Sequence, residues 1–146
     1  YLFKTFLNIS LRHGYPFSII IIDIDFFKLV NDNHGHQIGD TVLKEFAQIL
    51  KSNVRIEDTV GRWGGEEFLI LAPGSDLEAA ARLAEKLRKI IEKFNFTTVG
   101  QKTSSFGVST CHAGDDEKSM ISRADEALYA AKNGGRNLVK VENYTM

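Results

Sequence analysis

The run Phe17-Ser18-Ile19-Ile20-Ile21-Ile22-Asp23-Ile24-Asp25 constrains the fold more than any other stretch of the chain. It follows Gly14-Tyr15-Pro16 and carries four consecutive isoleucines, without the alternation of a strand that shows one face to water. A β-branched run of this kind predicts a central strand buried on both faces. Asp23 and Asp25 come at its end, where the strand leaves the core.

The elements around it follow from periodicity and punctuation. Phe3, Phe6, Leu7 and Leu11 recur at helical spacing with no N-cap before them, which reads as a helix cut from something longer, with an upstream regulatory region expected. A short helix is predicted from about Phe26 to Asn33, ending in the turn His34-Gly35-His36. A longer one follows from about Ile38 to Val54, with Val42, Leu43, Phe46, Ile49, Leu50 and Val54 in one stripe. Thr59 to Trp63 and Glu66 to Ala72 form a hairpin about Gly64-Gly65. Pro73-Gly74-Ser75-Asp76 ends that strand and caps a helix from about Leu77 to Phe94, with Leu83, Leu87, Ile90, Ile91 and Phe94 facing the core. Phe96 to Val99 and Thr103 to Thr110 read as strands. A last helix from about Lys118 to Lys132 stops at Gly134-Gly135, and Asn137 to Val141 is a final short strand. This order predicts one α+β domain over residues 1–146, a mixed central sheet with helices on one face, of ferredoxin-like or polymerase-palm type.

Composition narrows the functional classes. The net charge of −1 provides no general field for a nucleic acid, so a phosphate ligand has to be held by a few local cations and a metal. The single cysteine, Cys111, makes no internal disulfide and reads as a buried small apolar residue in a reducing compartment. No apolar run approaches the roughly 20 residues that span a bilayer. A cytoplasmic domain is expected, whose parent protein carries any sensory or membrane module upstream.

The chemistry concentrates in Trp63-Gly64-Gly65-Glu66-Glu67-Phe68-Leu69. Two adjacent acids there stand at the mouth of the apolar strand Phe68-Leu69-Ile70-Leu71. Carboxylates about 4 Å apart repel by about 4 kcal/mol at an effective dielectric near 20, so this placement calls for a cation or a proton. The first strand and the hairpin are expected to be neighbours, so that Asp23, Asp25, Glu66 and Glu67 converge. Carboxylates, a backbone carbonyl and water are the ligand set of Mg²⁺, with Mn²⁺ as its substitute, and paired ions of this kind serve phosphoryl and nucleotidyl transfer. His34 and His36 have no further ligand at zinc spacing.

Asp23-Ile24-Asp25-Phe26-Phe27-Lys28, Asn31-Asp32-Asn33-His34-Gly35-His36, Gly39-Asp40 and Arg62-Trp63-Gly64-Gly65-Glu66-Glu67-Phe68 resemble, in this order, the GGDEF family of diguanylate cyclases. The resemblance covers nearly the whole chain. It implies a palm-like fold related to the class III nucleotide cyclases and the condensation of two GTP into cyclic di-GMP with release of two pyrophosphates. It implies that Asp23, the carbonyl of Ile24, Glu66 and Glu67 hold Mg²⁺ as the catalytic group, Glu66 being also the base for the attacking 3′-hydroxyl. The residues themselves do not separate the roles of Glu66 and Glu67. Asn31 and Asp40 match guanine readers, and a carboxylate that accepts both N1–H and the N2 amine of guanine provides a way to choose GTP. His36 matches a nucleotide contact, while Lys28, Lys132 and Arg136 match phosphate-binding cations. The amides of Phe26 and Phe27 at a helix start add donors for phosphate. Gly64 and Gly65 keep side chains away from the nucleotide.

Arg55-Ile56-Glu57-Asp58 resembles the family's RxxD product-inhibition motif, with Arg82 and Lys86 contributing from the following helix. Lys86 stands where the family often has arginine. The extended strand from Asp58 to Gly64 spans about 20 Å, so cyclic di-GMP bound there would lie away from the catalytic site. One nucleotide site per domain and two equivalent bonds in the product imply a homodimer. The resemblance leaves a second reading, a catalytically silent GGDEF-like receptor for cyclic di-GMP or GTP. Silent members lose a signature acid, and Gly64, Gly65, Glu66, Glu67 and Asp23 all stand here. A third reading, another nucleotidyl cyclase or polymerase-like palm, is opposed by Asn31 and Asp40.

Overall fold

The computed structural model describes residues 1–145. Helix α1 (Leu2–His13) leads into strand β1 (Phe17–Ile24), helix α2 (Phe27–Ser52), the hairpin β2 (Thr59–Gly64) and β3 (Glu67–Pro73), helix α3 (Leu77–Lys93), strand β4 (Ser104–Thr110), helix α4 (Glu117–Asn133) and strand β5 (Val139–Val141). The sheet order is β2-β3-β1-β4-β5. β1 therefore lies at the centre, antiparallel to both β3 and β4, and β5 pairs in parallel with β4.

The isoleucine run becomes this central strand, with every residue of β1 buried. Alternate side chains serve two separate cores. Ile20, Ile22 and Ile24 pack with Val42, Phe46 and Leu50 of α2 and Ala84, Leu87 and Ile91 of α3. Ile19 and Ile21 face the other way, with Phe3 and Leu7 of α1 and Met120, Ala124 and Leu128 of α4. The expectation of helices on one face is thus corrected. A strand with isoleucines on both of its faces needs cover on both sides, and α1 and α4 form the second layer. Leu11, expected in the α1 stripe, is 42% exposed, and Ser10 takes the buried position.

Caps and breaks follow local chemistry. Asp76 accepts from the Ala79 N–H at 2.8 Å to start α3, and Asp116 with Ser119 forms a reciprocal capping box on α4. Gly35 (φ 83°, ψ 166°) breaks α2 internally, where two helices were expected. Phe96 to Val99 is not a strand. It closes on itself through the bridge of Phe96 to Gly100, with Thr98 at φ 71°. The hairpin turn also lies one residue later than expected, at Gly65-Glu66, because a bulge between Arg62 and Gly64 shifts the pairing and sets Gly64 opposite Glu67. Cys111 is only half-buried, at the edge of the α1/α4 core, and burial raises its thiol pKa.

Gly107 on β4 fixes how closely α4 approaches the sheet. A Cβ there would lie 2.1 Å from the Ala124 carbonyl oxygen and 2.5 Å from the Leu128 nitrogen, both backbone atoms of α4. Gly107→Ala should destabilise the domain by about 3 kcal/mol, the upper end for overpacking, in urea unfolding followed by circular dichroism. A loss below about 0.5 kcal/mol, the scale of an uninvolved surface change, would show that α4 is not held against β4 here.

Candidate active site

Antiparallel pairing of β1 with β3 sets Asp23 directly opposite Glu67. Two carboxylates on adjacent strands at that spacing repel, and one cation from α4 meets them. Lys132 in the last turn of α4 makes an ion pair through Nζ to Asp23 Oδ2. The other oxygen, Asp23 Oδ1, is buried and has no hydrogen-bond partner among the described residues. Burial is the main reason that the Asp23 carboxyl titrates above its ordinary range; Lys132 pulls it down, and the charges of Glu66 and Asp25 push it up. Glu67 is raised as well, first by burial and then by the charge of Asp23.

An orphaned buried carboxylate oxygen facing a second acid fits a hard divalent cation. Asp23 and Glu67 would hold it, with the carbonyl of Ile24 beside them at the end of β1. Among the described residues, no three acidic, histidine or cysteine side chains come together as a preformed cluster, so these two carboxylates need backbone, water or phosphate oxygens to complete a shell. Glu66 lies in the hairpin turn, close enough for its charge to act on Asp23 and Glu67. Asp25, expected in this cluster, does not join it. Its carboxylate is 2% exposed and taken up by Thr103, Ser105 and the N–H of Asn137. The strand ends at Ile24, and the chain turns there so that Asp25 faces β4 and the segment before β5.

The phosphate-binding candidates lie around the same strand end. Phe26 adopts φ 57° before α2, and the first turn of α2 lacks a side-chain cap, so its N–H groups point out of the helix end. Arg136 places its guanidinium 4.6 Å from the centre of the exposed Phe26 ring. Phe27 is buried, whereas Lys28 and His36 are exposed on α2. Neither Gly64 nor Gly65 uses a left-handed φ, and an added Cβ would meet only Glu67 Oε1 at 3.8 Å from Gly64 and nothing from Gly65. The fold itself thus leaves room for side chains at both, and the space beside this turn stays open.

Beyond the hairpin lies a cavity of about 340 Å³ lined by Asp40, Leu43, Lys44, Ala47, Arg62 and Phe68. Asp40 is exposed at its edge. Asn31 is half-buried against Gly39, where a Cβ would lie 1.9 Å from Asn31 Oδ1. Gly39 therefore permits Asn31 to sit beside Asp40. Arg62 and Lys44 were not assigned from the sequence, and Arg62 also donates to the Gly65 carbonyl, stapling the turn. Asp125 of α4 was missed too. Its charge acts on Glu67, and its own pKa is raised by burial.

At the other end of β2, Arg55 and Asp58 are brought together but turned toward each other. The Arg55 N–H donates to Asp58 Oδ2 at 2.9 Å, and Nη2 reaches Pro73 O at 3.0 Å and Ser75 Oγ at 2.7 Å. The Asp58 side chain is fully covered. Lys86 donates to the Asn53 carbonyl at 3.0 Å, near Arg55, while Arg82 one turn earlier on α3 pairs with Glu78 at 3.0 Å.

Known proteins match this chain closely. The profile of the family described as "Diguanylate cyclase, GGDEF domain" matches residues 2–138. The response regulator PleD of Caulobacter vibrioides is 47% identical over 132 residues, which are 86% of this chain and 29% of PleD. Diguanylate cyclase A of Treponema denticola is 46% identical over 137 residues, 91% of this chain and 37% of that protein. The chain thus spans well under half of these relatives. Among solved structures, the active GGEEF domain of a diguanylate cyclase from Vibrio cholerae superposes with a TM-score of 0.92 at 37% identity, covering 98% of this chain and 93% of that one. The GGDEF domain of DgcB from Caulobacter crescentus, in complex with c-di-GMP, gives 0.91 at 30% identity, covering 96% and 85%.

A carboxyl whose pKa is higher in the folded than in the unfolded chain keeps its proton longer when folded. Its ionisation therefore costs stability as pH rises from the ordinary carboxylate value through the raised one. Asp23 and Glu67 should weaken the metal-free domain above that window, and a divalent cation between them should offset the effect. In thermal unfolding, millimolar Mg²⁺ should raise Tm at neutral pH by about 2–4 °C, the response to about 1 kcal/mol in a domain of this size. It should do nothing in the acid range, where both carboxyls are protonated, and nothing in Asp23→Asn. Equal shifts at both pH values, or an undiminished shift in the variant, would contradict a cation held by this pair.

Proposed function

This chain belongs to the GGDEF domain family, that of the diguanylate cyclases, and we propose that it condenses two GTP into cyclic di-GMP with release of two pyrophosphates. The observation that carries this reading is the unpartnered buried oxygen of Asp23 opposite Glu67, at the lip of an open glycine turn. Mg²⁺ bound there would withdraw charge from the phosphate oxygens and stabilise the charge that develops on them.

The side chains divide the remaining work. Guanine would enter the cavity beside Asp40 and Asn31, with N1–H and the N2 amine donating to carboxylate and amide oxygens. Adenine offers no such donor pair, so Asp40 supplies base selection. The triphosphate would lie along the uncapped start of α2, met by the N–H groups of Phe26 and Phe27 and by Lys28, Lys132 and Arg136. For Lys132 this means exchanging its bond to Asp23 for one to phosphate. Glu66, in the turn, would take the proton of a 3′-hydroxyl as that oxygen bonds to the α-phosphorus and the bond to pyrophosphate breaks. His36 would contact the nucleotide from the exposed face of α2.

The attacking hydroxyl belongs to a second GTP, so two domains have to face each other as a homodimer during turnover. Product inhibition would use Arg55 and Asp58 with Arg82 and Lys86. Because Asp58 is covered and bonded to Arg55, inhibitor binding would have to open this pair, and the length of β2, about 20 Å for its six residues, makes the effect act at a distance.

Incubation with GTP and Mg²⁺ should yield cyclic di-GMP, with the rate falling by at least about 10² in Glu66→Gln, the scale of losing a general base. Specific activity should rise with protein concentration, and Arg55→Ala should relieve inhibition by added cyclic di-GMP. Nucleotide binding without product at high protein concentration would favour the silent receptor instead. A flat specific activity on dilution would remove the dimer requirement, and unchanged inhibition in Arg55→Ala would remove the regulatory role.

A further inference from the structure

Asp25 pairs with Asp23 in the sequence but has another task in the fold. Its Oδ1 accepts from Ser105 Oγ at 2.7 Å, and its Oδ2 accepts from Thr103 Oγ1 at 2.7 Å and from the Asn137 N–H at 2.9 Å. Arg136 Nη1 lies 3.9 Å from Oδ1. A carboxylate offers about four acceptor sites. Three are filled and the Arg136 guanidinium faces the remainder, which leaves none for a metal ion.

The segment it holds is conformationally costly. Arg136 and Asn137 are consecutive non-glycine residues in the left-handed region, at φ 66° and 51°, a conformation that L-residues adopt singly and only when their surroundings impose it. Asn137 is gripped at three points. Its N–H donates to Asp25, its Oδ1 accepts from Arg88 Nη1 at 3.0 Å, and its Nδ2 donates to Glu92 Oε2 at 2.7 Å. The end of β1 and the helix α3 thus clamp one residue, and the residue before it is Arg136, whose guanidinium is delivered over Phe26 at the start of α2.

We infer that Asp25 is a positioning residue that fixes the Arg136–Asn137 turn and thereby sets where Arg136 meets the triphosphate, and that it takes no part in metal binding. The inference rests on the cyclase reading of the site for its ligand. It predicts that Asp25 and Arg136 act as one unit, whereas a metal ligand and a phosphate cation would act as two.

Equilibrium binding of the guanosine triphosphate analogue with a methylene bridge between its α and β phosphates tests this without turnover. Asp25→Asn, which removes the charge facing Arg136 and weakens the hold on Asn137, should lower affinity about tenfold, the scale of a charge-assisted bond. Arg136→Ala should do at least as much. The double variant should bind no worse than Arg136→Ala alone, since residues in one network are not additive. The Mg²⁺ concentration for half-maximal analogue binding should shift by less than about twofold in Asp25→Asn, whereas loss of a metal ligand would shift it by about tenfold or more.

Losses that multiply in the double variant, or a large Mg²⁺ shift, would overturn the inference. Should Asp25→Asn not fold, Asn137→Gly supplies the same cycle. Glycine keeps the N–H and suits the left-handed φ but loses both clamps to α3, so affinity should fall about threefold, as for one ordinary hydrogen bond. Unchanged affinity there would also overturn it. Wild-type protein that binds the analogue yet makes no cyclic di-GMP would end the cyclase reading and leave this result standing.

Discussion

The site depends on two acids placed directly opposite each other on neighbouring strands. Like charges across an antiparallel pair are destabilising, and here the pair is at the end of a strand whose middle is four buried isoleucines. The register of β1 against β3 puts Ile20 opposite Ile70, Ile22 opposite Phe68 and Asp23 opposite Glu67, so the packing of the apolar pairs carries the two acids together. Lys132 relieves part of the repulsion through one oxygen of Asp23. The other oxygen remains buried without a partner among the described residues, and the proposed cation would satisfy it.

Everything that positions the remaining parts follows from how the chain crosses this strand end. Gly107 lets α4 lie against the sheet backbone, and that approach carries Lys132 to Asp23. The break at Gly35 divides α2, so its first part presents uncapped amides while its second carries Asp40 to the cavity beyond the hairpin. Asp25 draws the segment before β5 back over the start of α2. Asp23 of β1, Glu67 of β3 and Lys132 of α4 meet in this way around one strand terminus.

Much of this was legible in the residues. The isoleucine run was readable as the central strand, Asp76 as a cap, Gly134 as the stop of α4, and the acids of the strand end and the hairpin as neighbours. What was not legible is instructive in physical terms. A helical stripe says that a helix has a buried face but not which side of the sheet receives it, so α1 and α4 were placed on the wrong side. The hairpin turn moved by one residue because the bulge before Gly64 depends on strand pairing. Asp25 was grouped with Asp23 because residues two apart on a strand share a face, yet the strand stops between them. Arg62, Lys44 and Asp125 reach the site only through long-range packing, and Arg62 alone had a signal, its place inside the hairpin motif.

In the proposed site Asp23 and Glu67 share a divalent cation and Asp25 does not. The most direct measurement is a crystal structure with Mn²⁺ and the methylene-bridged GTP analogue, in which anomalous scattering locates the metal independently of the protein. Mn²⁺ should be bonded to the buried Oδ1 of Asp23 and to Glu67, with Asp25 still bound to Thr103, Ser105 and Asn137. Manganese bonded to Asp25, or bound to the triphosphate without touching Asp23, would contradict it.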